Sequence, residues 1–251
     1  MIARPAQSGF SLVELSIVLV ILGLLTGGIL GGQALIRAAE LRSFTLDAQK
    51  HASSTQAFRD KYLAFPGDMP NATAFWGVAA GNGRDVACRD FKSTGPATCN
   101  GDGDGRVESA SPINEALRYW QHLASASLLE GQYTGTWNAS SLSETSPRMK
   151  LRNKHWGVYS WVIAAGNTTT FAGDYGNAIS THEYDVLTPE EAWSVDTKID
   201  DGKPNQGKFW VGKGDATYPC TTLFGQPTDL GAEYNLANTN VVCYPHFLYV
   251  F

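Results

Sequence analysis

The stretch Gly9-Phe10-Ser11-Leu12-Val13-Glu14-Leu15 opens an apolar run that continues to Gln33. From Phe10 to Gly32 the only ionisable side chain is that of Glu14. About 20 apolar residues suffice for a helix to cross the ~30 Å hydrocarbon core of a bilayer, so this run predicts a transmembrane helix. A carboxylate placed centrally in such a helix costs ~2.5–3.5 kcal/mol, so Glu14 needs either water at the interface or a partner.

The polar leader of residues 1–9, the Gly9/Phe10 junction, Glu14 and the apolar run all occur in register. Together they resemble the processing site of type IV prepilins and type II secretion pseudopilins. The resemblance implies that a prepilin peptidase cuts after Gly9 and methylates Phe10, and that Glu14 directs assembly. An ordinary uncleaved signal anchor is the alternative. A conventional secretory signal fits less well, because the run is too long and no small-residue cleavage pattern follows it.

The implied cut would give Glu14 a partner. Cleavage leaves an α-ammonium on Phe10, and residues four apart lie on one face of a helix. Glu14 could pair with the amine of its own chain, or with the Phe10 amine of a neighbour in a staggered bundle of helices. A pair of this kind would fix the register between subunits, since buried ion pairs set specificity better than they add stability.

The fold class predicted for the chain is α+β and pilin-like, with a long N-terminal helix packed on a mainly antiparallel sheet with long loops. The predicted segments are a leader (residues 1–9), a membrane or filament-core helix (10–33), its amphipathic continuation (34–65) and a globular domain (66–251). Apolar and small residues recur at three- and four-residue spacing in the amphipathic part: Leu41, Phe44, Ala48, Ala52, Thr55, Phe58 and Tyr62. Pro66 and Gly67 should end the helix.

The resemblance implies a bacterial inner membrane, and the charge of the leader predicts that the large domain lies on its outer side. The 251 residues carry a formal net charge of −5 without basic runs, so there is no clear nucleic-acid signal. Arg4 in the leader should stay cytoplasmic, which sends the domain outward. Four cysteines fit an oxidising compartment. The resemblance implies membrane lipid as the first partner, followed by an inner-membrane assembly machinery and other copies or related pilin subunits.

Enzyme motifs are missing from the sequence. There is no Gly-x-Ser-x-Gly elbow, P-loop or His-Glu-x-x-His motif, and no Rossmann glycines lie between a strand and a helix. Gly101-x-Gly103-x-Gly105 lacks those flanks, and its aspartates would repel phosphate. We therefore expect a protein without catalytic residues and without a required cofactor.

The stretch from Asn100 to Glu108 resembles the first half of an EF-hand calcium loop. Asn100, Asp102 and Asp104 alternate with glycines, and Ca²⁺ takes 6–8 oxygen ligands, so these side chains and Glu108 are candidate ligands. The closing Glu is missing because the twelfth position is Ser111. A metal-free Asp/Gly turn is the alternative, and both interpretations stay open.

A second acidic stretch, Asp196 to Gly202, has three carboxylates near a Gly-Lys-Pro turn. Secretion pseudopilins that it resembles use calcium in a loop after the helix. Turn formation and helix termination are the commoner roles of such residues, and we favour them here.

The cysteines favour two local disulfides. Four cysteines allow three pairings. Cys88–Cys99 and Cys220–Cys243 are preferred because each pair encloses a short loop of turn-forming residues. A metal or redox site is not favoured, since no Cys-x-x-Cys pair occurs.

Within the domain the sequence predicts a helix from Asn114 to Leu129 that Gly131 stops, with His122 as a packing or surface residue. Another helix should begin at Pro189, capped by Thr188. The strand candidates are 155–163, 168–171, 209–211 and 247–251.

These observations favour a filament subunit of the type IV pilus or type II secretion pseudopilus kind, made as a precursor and cleaved after Gly9. The alternative is a surface binding or adhesion module, possibly calcium-dependent, that a single uncleaved helix anchors.

Overall fold

A computed structural model describes residues 11–84, 88, 90, 92–93, 95–108, 115–138, 140–161, 176–183, 185–211, 219–223 and 231–248. The chain divides into two compact units, Met1–Arg42 and Ser43–Phe251. Helix α1 (Leu12–Tyr62) has 51 residues and contributes to both. A long apolar helix combined with a small antiparallel sheet is the pilin-like α+β arrangement that the sequence predicts, so the predicted fold class is confirmed.

The first unit exposes its apolar side chains. From Leu12 to Ile36 the large aliphatic residues lie open, and α1 is the one described helix that is long and apolar enough, by length and composition, to cross a membrane. Its hydroxyl groups bond within the helix: Ser16 Oγ donates to Val13 O at 2.9 Å, and Thr26 Oγ1 donates to Leu22 O at 2.9 Å. Polar groups satisfied in this way are compatible with lipid.

In the second unit, the C-terminal part of α1 has one buried face. Phe44 stacks on Trp156 with ring centroids 5.2 Å apart. The His51 ring makes T-shaped contacts with Trp120 and Trp156, at centroid distances of 5.0 and 5.3 Å. Further along, Thr55 hydrogen-bonds the Tyr119 hydroxyl. The buried residues of this face are Phe44, Ala48, His51, Thr55 and Phe58. Their spacing of three and four residues is the reason why one stripe of the helix can be buried.

Four described strands form one antiparallel sheet in the order β1-β2-β4-β3. They are β1 (Trp156–Trp161), β2 (Gly176–Thr181), β3 (Phe209–Val211) and β4 (Pro245–Leu248). β1 pairs with β2 from Trp156 opposite Thr181 to Trp161 opposite Gly176. β4 pairs with β2 on one side, where Ala178 faces Leu248, and with β3 on the other.

Among the described residues, the second unit has three shorter α-helices. They are α2 (Ala72–Trp76), α3 (Glu115–Ser125) and α4 (Pro189–Ile199). The first follows the predicted helix end at Pro66 and Gly67, in a stretch for which no helix is predicted. The last has the predicted Thr188 cap: Thr188 Oγ1 accepts the Glu191 N–H at 3.2 Å, and Glu191 Oε2 accepts the Thr188 N–H at 2.9 Å. This reciprocal capping box fixes where α4 begins.

Several predicted boundaries shift. α3 ends at Ser125 rather than Leu129, because Ser127 adopts a left-handed φ of 61° and so breaks the helix before Gly131. β4 begins at Pro245, two residues earlier than predicted, and β2 is a strand that the sequence analysis missed. The predicted strand at 168–171 and residues 249–251 lie outside the described residues.

Candidate functional site

The N-terminal candidate site is described from Ser11 onward. Glu14 Oε2 accepts the Ser11 N–H at 2.9 Å, so the carboxylate satisfies one of the free donors of the first helical turn. The helix dipole favours a negative charge at this end. Gly9 and Phe10 lie outside the described residues, and the Phe10–Glu14 pair stays a prediction.

The second candidate site combines two predicted ligands of the Asp/Gly loop with Asp68, a carboxylate from another loop. One oxygen from each of Asp68, Asp102 and Asp104 lies within 4.8 Å of the others. Asp68 accepts the N–H groups of Gly103 at 2.7 Å and Gly105 at 3.0 Å, which draws the Asp/Gly loop around it. Carboxylate oxygens in such a group are ligands that Ca²⁺ prefers.

The other two predicted ligands have different surroundings. Asn100 Oδ1 accepts the Thr73 N–H at 2.8 Å and thereby fixes the start of α2. Glu108 is not in the group of three; its N–H donates to Glu115 Oε2 at 3.3 Å. The group therefore contains two of the four residues predicted from the loop, together with Asp68.

Burial acts on one carboxyl group beside this group, that of Glu115, and on one within it, that of Asp68. Glu115 is 1% exposed, and burial raises its pKa to about 8, while a hydrogen bond from the Asp102 N–H at 3.0 Å opposes the rise. Burial also raises the pKa of Asp68 to about 6. In both cases the main cause is burial, which disfavours the charged form of a carboxyl group.

The second acidic stretch also converges. Oxygens of Asp196, Asp200 and Asp201 lie within 4.8 Å of one another. Asp196 is buried, and its Oδ2 accepts the Tyr234 hydroxyl at 2.7 Å, while burial raises its pKa to about 7. Asp200 accepts the N–H groups of Lys208 and of Phe209, the latter at 2.9 Å. These contacts give Asp196 and Asp200 structural roles at the end of α4.

The structure has disulfides between Cys88 and Cys99 and between Cys220 and Cys243, the pairing that the loop lengths favour. The first lies beside the acidic loop, since Asn100 follows Cys99 directly. Each bond closes a local loop rather than joining distant elements.

His122 is a packing residue. It is fully buried, and its Nδ1 accepts the Gly67 N–H at 2.9 Å, so the neutral tautomer carries the proton on Nε2, which lies 3.0 Å from Thr98 Oγ1. Burial, followed by the Arg118 charge, lowers the pKa of His122 to about 3. A neutral imidazole that is hydrogen-bonded at both ring nitrogens in this way has no lone pair left for a metal.

The comparisons with known proteins bear on the N-terminal site. Residues 4–30 match the family model described as the prokaryotic N-terminal methylation motif. No curated protein and no solved structure gives a significant match. The matched range contains Gly9, Phe10 and Glu14, and it is the prepilin-type cleavage and methylation signature, so the predicted resemblance is confirmed. The chain thus carries, in front of its pilin-like α+β domain, the N-terminal signature of prepilin-type proteins.

Proposed function

We propose that this chain is a structural subunit of a type IV pilus or a type II secretion pseudopilus-like filament. The observation that carries the proposal is the methylation motif at residues 4–30, which runs directly into a helix whose apolar side chains are exposed. An exposed apolar helix of this length requires lipid or other helices around it. A filament core surrounds this helix with other helices once the subunit leaves the membrane.

The proposed sequence of events begins in the bacterial inner membrane, with the large domain outside the cytoplasm. A prepilin peptidase removes residues 1–9 and methylates the amino group of Phe10. An inner-membrane machinery then transfers the helix from lipid to a growing bundle. There Glu14 meets the Phe10 amine of a neighbouring subunit, and each charge compensates the other in apolar surroundings.

The role is one of assembly rather than catalysis. Proteins with the prepilin motif are structural subunits, and in each of the two acidic groups a carboxylate, that of Asp68 or Asp200, accepts backbone N–H groups. The domain would decorate a surface or periplasmic filament.

The test is the mass of the N-terminal peptide from protein extracted from membranes of a host that has the peptidase. A peptide that begins at Phe10 with one added methyl group supports the proposal. A peptide that begins at Met1 would contradict it and would favour the singly anchored binding module, since that module needs no cleavage. The same extract without the peptidase is the control, because it should yield the Met1 peptide.

Calcium binding is a separate proposal, motivated by the convergence of Asp68, Asp102 and Asp104. Three carboxylates give a partial ligand set for Ca²⁺, which takes 6–8 oxygens, so waters or carbonyl groups would complete it. Calorimetric titration with CaCl₂ tests it: Asp104→Asn should weaken binding about tenfold, a loss of ~1.4 kcal/mol. Asp201→Asn is the control at the other acidic group. An absence of binding heat would overturn the proposal.

A further inference from the structure

A cleft of about 370 Å³ opens beside α4 and is separate from the methylation motif. Trp193 on α4 lines it, and so do Pro204 and Ala232. Tyr234 is also part of its lining. Pockets for small molecules have volumes of roughly 300–1,000 Å³ and combine apolar walls with a few polar groups. The cleft lies at the lower end of that range, which suits a small ligand.

The side chain of Trp193 is an accessible part of the lining. Trp193 is 43% exposed, whereas Ala192 and Val195 of the same helix are buried in the core. Gly202 forms the turn beside it with a φ of +77°; a Cβ at this position would lie 2.8 Å from the Thr197 methyl group and 3.8 Å, an ordinary contact distance, from Trp193 Nε1. A large aromatic ring left open to solvent beside a cleft is available for a ligand to pack on.

The floor of the cleft is held in place from below. Tyr234 is 6% exposed, and its hydroxyl donates to Asp196 Oδ2 at 2.7 Å. The other oxygen of the same carboxylate accepts the Gly202 N–H at 3.1 Å. One buried carboxylate therefore positions both the floor and the turn at the rim, so that a ligand would meet a preformed surface.

Two opposite charges stand on the rim. The exposed Lys203 and Glu233 line the cleft, and in the part of the chain that the structure describes neither side chain has a hydrogen bond or an ion pair. Their backbones are fixed, however, because Lys203 N–H donates to Asp201 Oδ1 at 2.8 Å and Glu233 N–H donates to Thr222 Oγ1 at 3.1 Å. An ammonium donor and a carboxylate acceptor thus project from two fixed backbone positions.

We propose that this cleft binds a saccharide of one or two pyranose rings. A pyranose has a C–H face that packs on an indole, and its hydroxyl groups both accept from an ammonium and donate to a carboxylate. A purely apolar ligand would desolvate Lys203 and Glu233 without compensation. An anionic ligand would be repelled by the carboxylate of Glu233.

The proposal goes beyond the filament role and does not rest on it, because the residues involved all lie between 193 and 234, outside the methylation motif. Binding can therefore fail while assembly holds, and the reverse.

The test is saturation-transfer NMR on the full chain in phospholipid nanodiscs, which contain no sugar. The probes are glucose, galactose, mannose, N-acetylglucosamine and their β1,4-linked disaccharides, each at ~10 mM so that millimolar binding is detected. We expect transfer from the protein to the ring C–H protons of at least one probe. Trp193→Ala should weaken that binding about tenfold.

The matched control is Trp137→Ala, which removes another exposed indole (53%) outside the cleft and should change affinity less than about twofold. The double variant Lys203→Gln/Glu233→Gln changes only exposed side chains, so it tests the proposal even if Trp193→Ala does not fold. We expect it to bind the saccharide several-fold more weakly. The proposal is overturned if no probe receives saturation, if Trp137→Ala weakens binding as much as Trp193→Ala, or if the rim variant binds with unchanged affinity.

Discussion

Asp68 Oδ1 accepts the Gly103 N–H at 2.7 Å and so joins two loops that are 35 residues apart in the chain. Backbone contacts reinforce this junction, since the Gly101 N–H donates to Met69 O at 2.9 Å. The approach is close enough that a Cβ at Gly101 would lie 2.3 Å from the Asp68 carbonyl carbon. A side chain at that position has no room unless one backbone moves.

Gly101→Ala should therefore destabilise the domain strongly. The clash is with main chain rather than with a flexible side chain, so we expect a loss of ~2–3 kcal/mol or more in the free energy of unfolding. Gly95→Ala is the control, because a Cβ there meets nothing within 4 Å. Urea unfolding of both variants is the measurement, and equal midpoints would contradict the close approach.

The part of the domain's stability that comes from Glu115 and Asp196 should fall as the pH rises from about 4.5 through about 8. Burial raises the pKa of Glu115 to about 8 and that of Asp196 to about 7. The folded state then holds more protons than the unfolded state in this window, so stability is fully present below the unfolded pKa values and declines above them. Glu115→Gln should flatten the decline, as measured by urea midpoints at pH 5 and 8.5. Glu130→Gln, at an exposed carboxylate, should leave the slope as it is.

Acid should destabilise the domain through its buried histidines. Burial lowers the pKa of His51 to about 4 and that of His122 to about 3. Stability from these neutral rings is present above pH 6.5 and is lost as the pH falls through the lowered values, because the unfolded chain takes up protons first. His51→Gln should reduce the steepness of unfolding between pH 6.5 and 4, followed by circular dichroism. An unchanged acid limb would mean that other groups control it.

The disulfide between Cys220 and Cys243 should contribute ~3 kcal/mol, the loop-closure value for a separation of 23 residues. The double variant Cys220→Ala/Cys243→Ala removes the bond without leaving a free thiol. In the absence of reductant, we expect the midpoint of unfolding of this variant to lie below that of the oxidised parent, because the bond no longer constrains the unfolded chain. A midpoint equal to that of the oxidised parent would contradict the prediction.

Glu14→Ala should abolish filament assembly while leaving membrane insertion intact, because it removes the charge proposed to meet a neighbour's Phe10. Fractionation of membranes and sheared filaments measures the two outcomes separately. Asp60→Ala is the matched control: it removes a helical carboxylate that is exposed near the other end of α1. Filaments at parental yield from Glu14→Ala would argue for the anchored module.

Local patterns predicted the elements whose cause is local. The apolar run predicted α1, Thr188 and Pro189 predicted the start of α4, and the short cysteine loops predicted the two disulfides. The stripe from Phe44 to Phe58 was visible for the same reason, since helical spacing places its residues on one face.

What the sequence could not show depends on distant partners. Asp68 lies 34 residues before Asp102, and no spacing rule links them. β2 was missed because its sequence, from Gly176 to Thr181, has low strand propensity and is fixed by pairing with β1 and β4. The sequence does not mark Trp193 as a cleft residue, because an exposed tryptophan on a helix has no sequence signature. The cleft beside it forms only when the chain folds.

The order of the strands has a consequence for folding during synthesis. β4 is the last of the described strands along the chain, yet it lies between β2 and β3, and within the described sheet β3 pairs with β4 alone. A polypeptide that is still being made cannot close this sheet until residues 245–248 are available. A polypeptide that ended before Pro245 would present unpaired strand edges, the feature that invites aggregation and degradation. The synthesis of residues 245–248 therefore sets the earliest point at which this sheet can be completed.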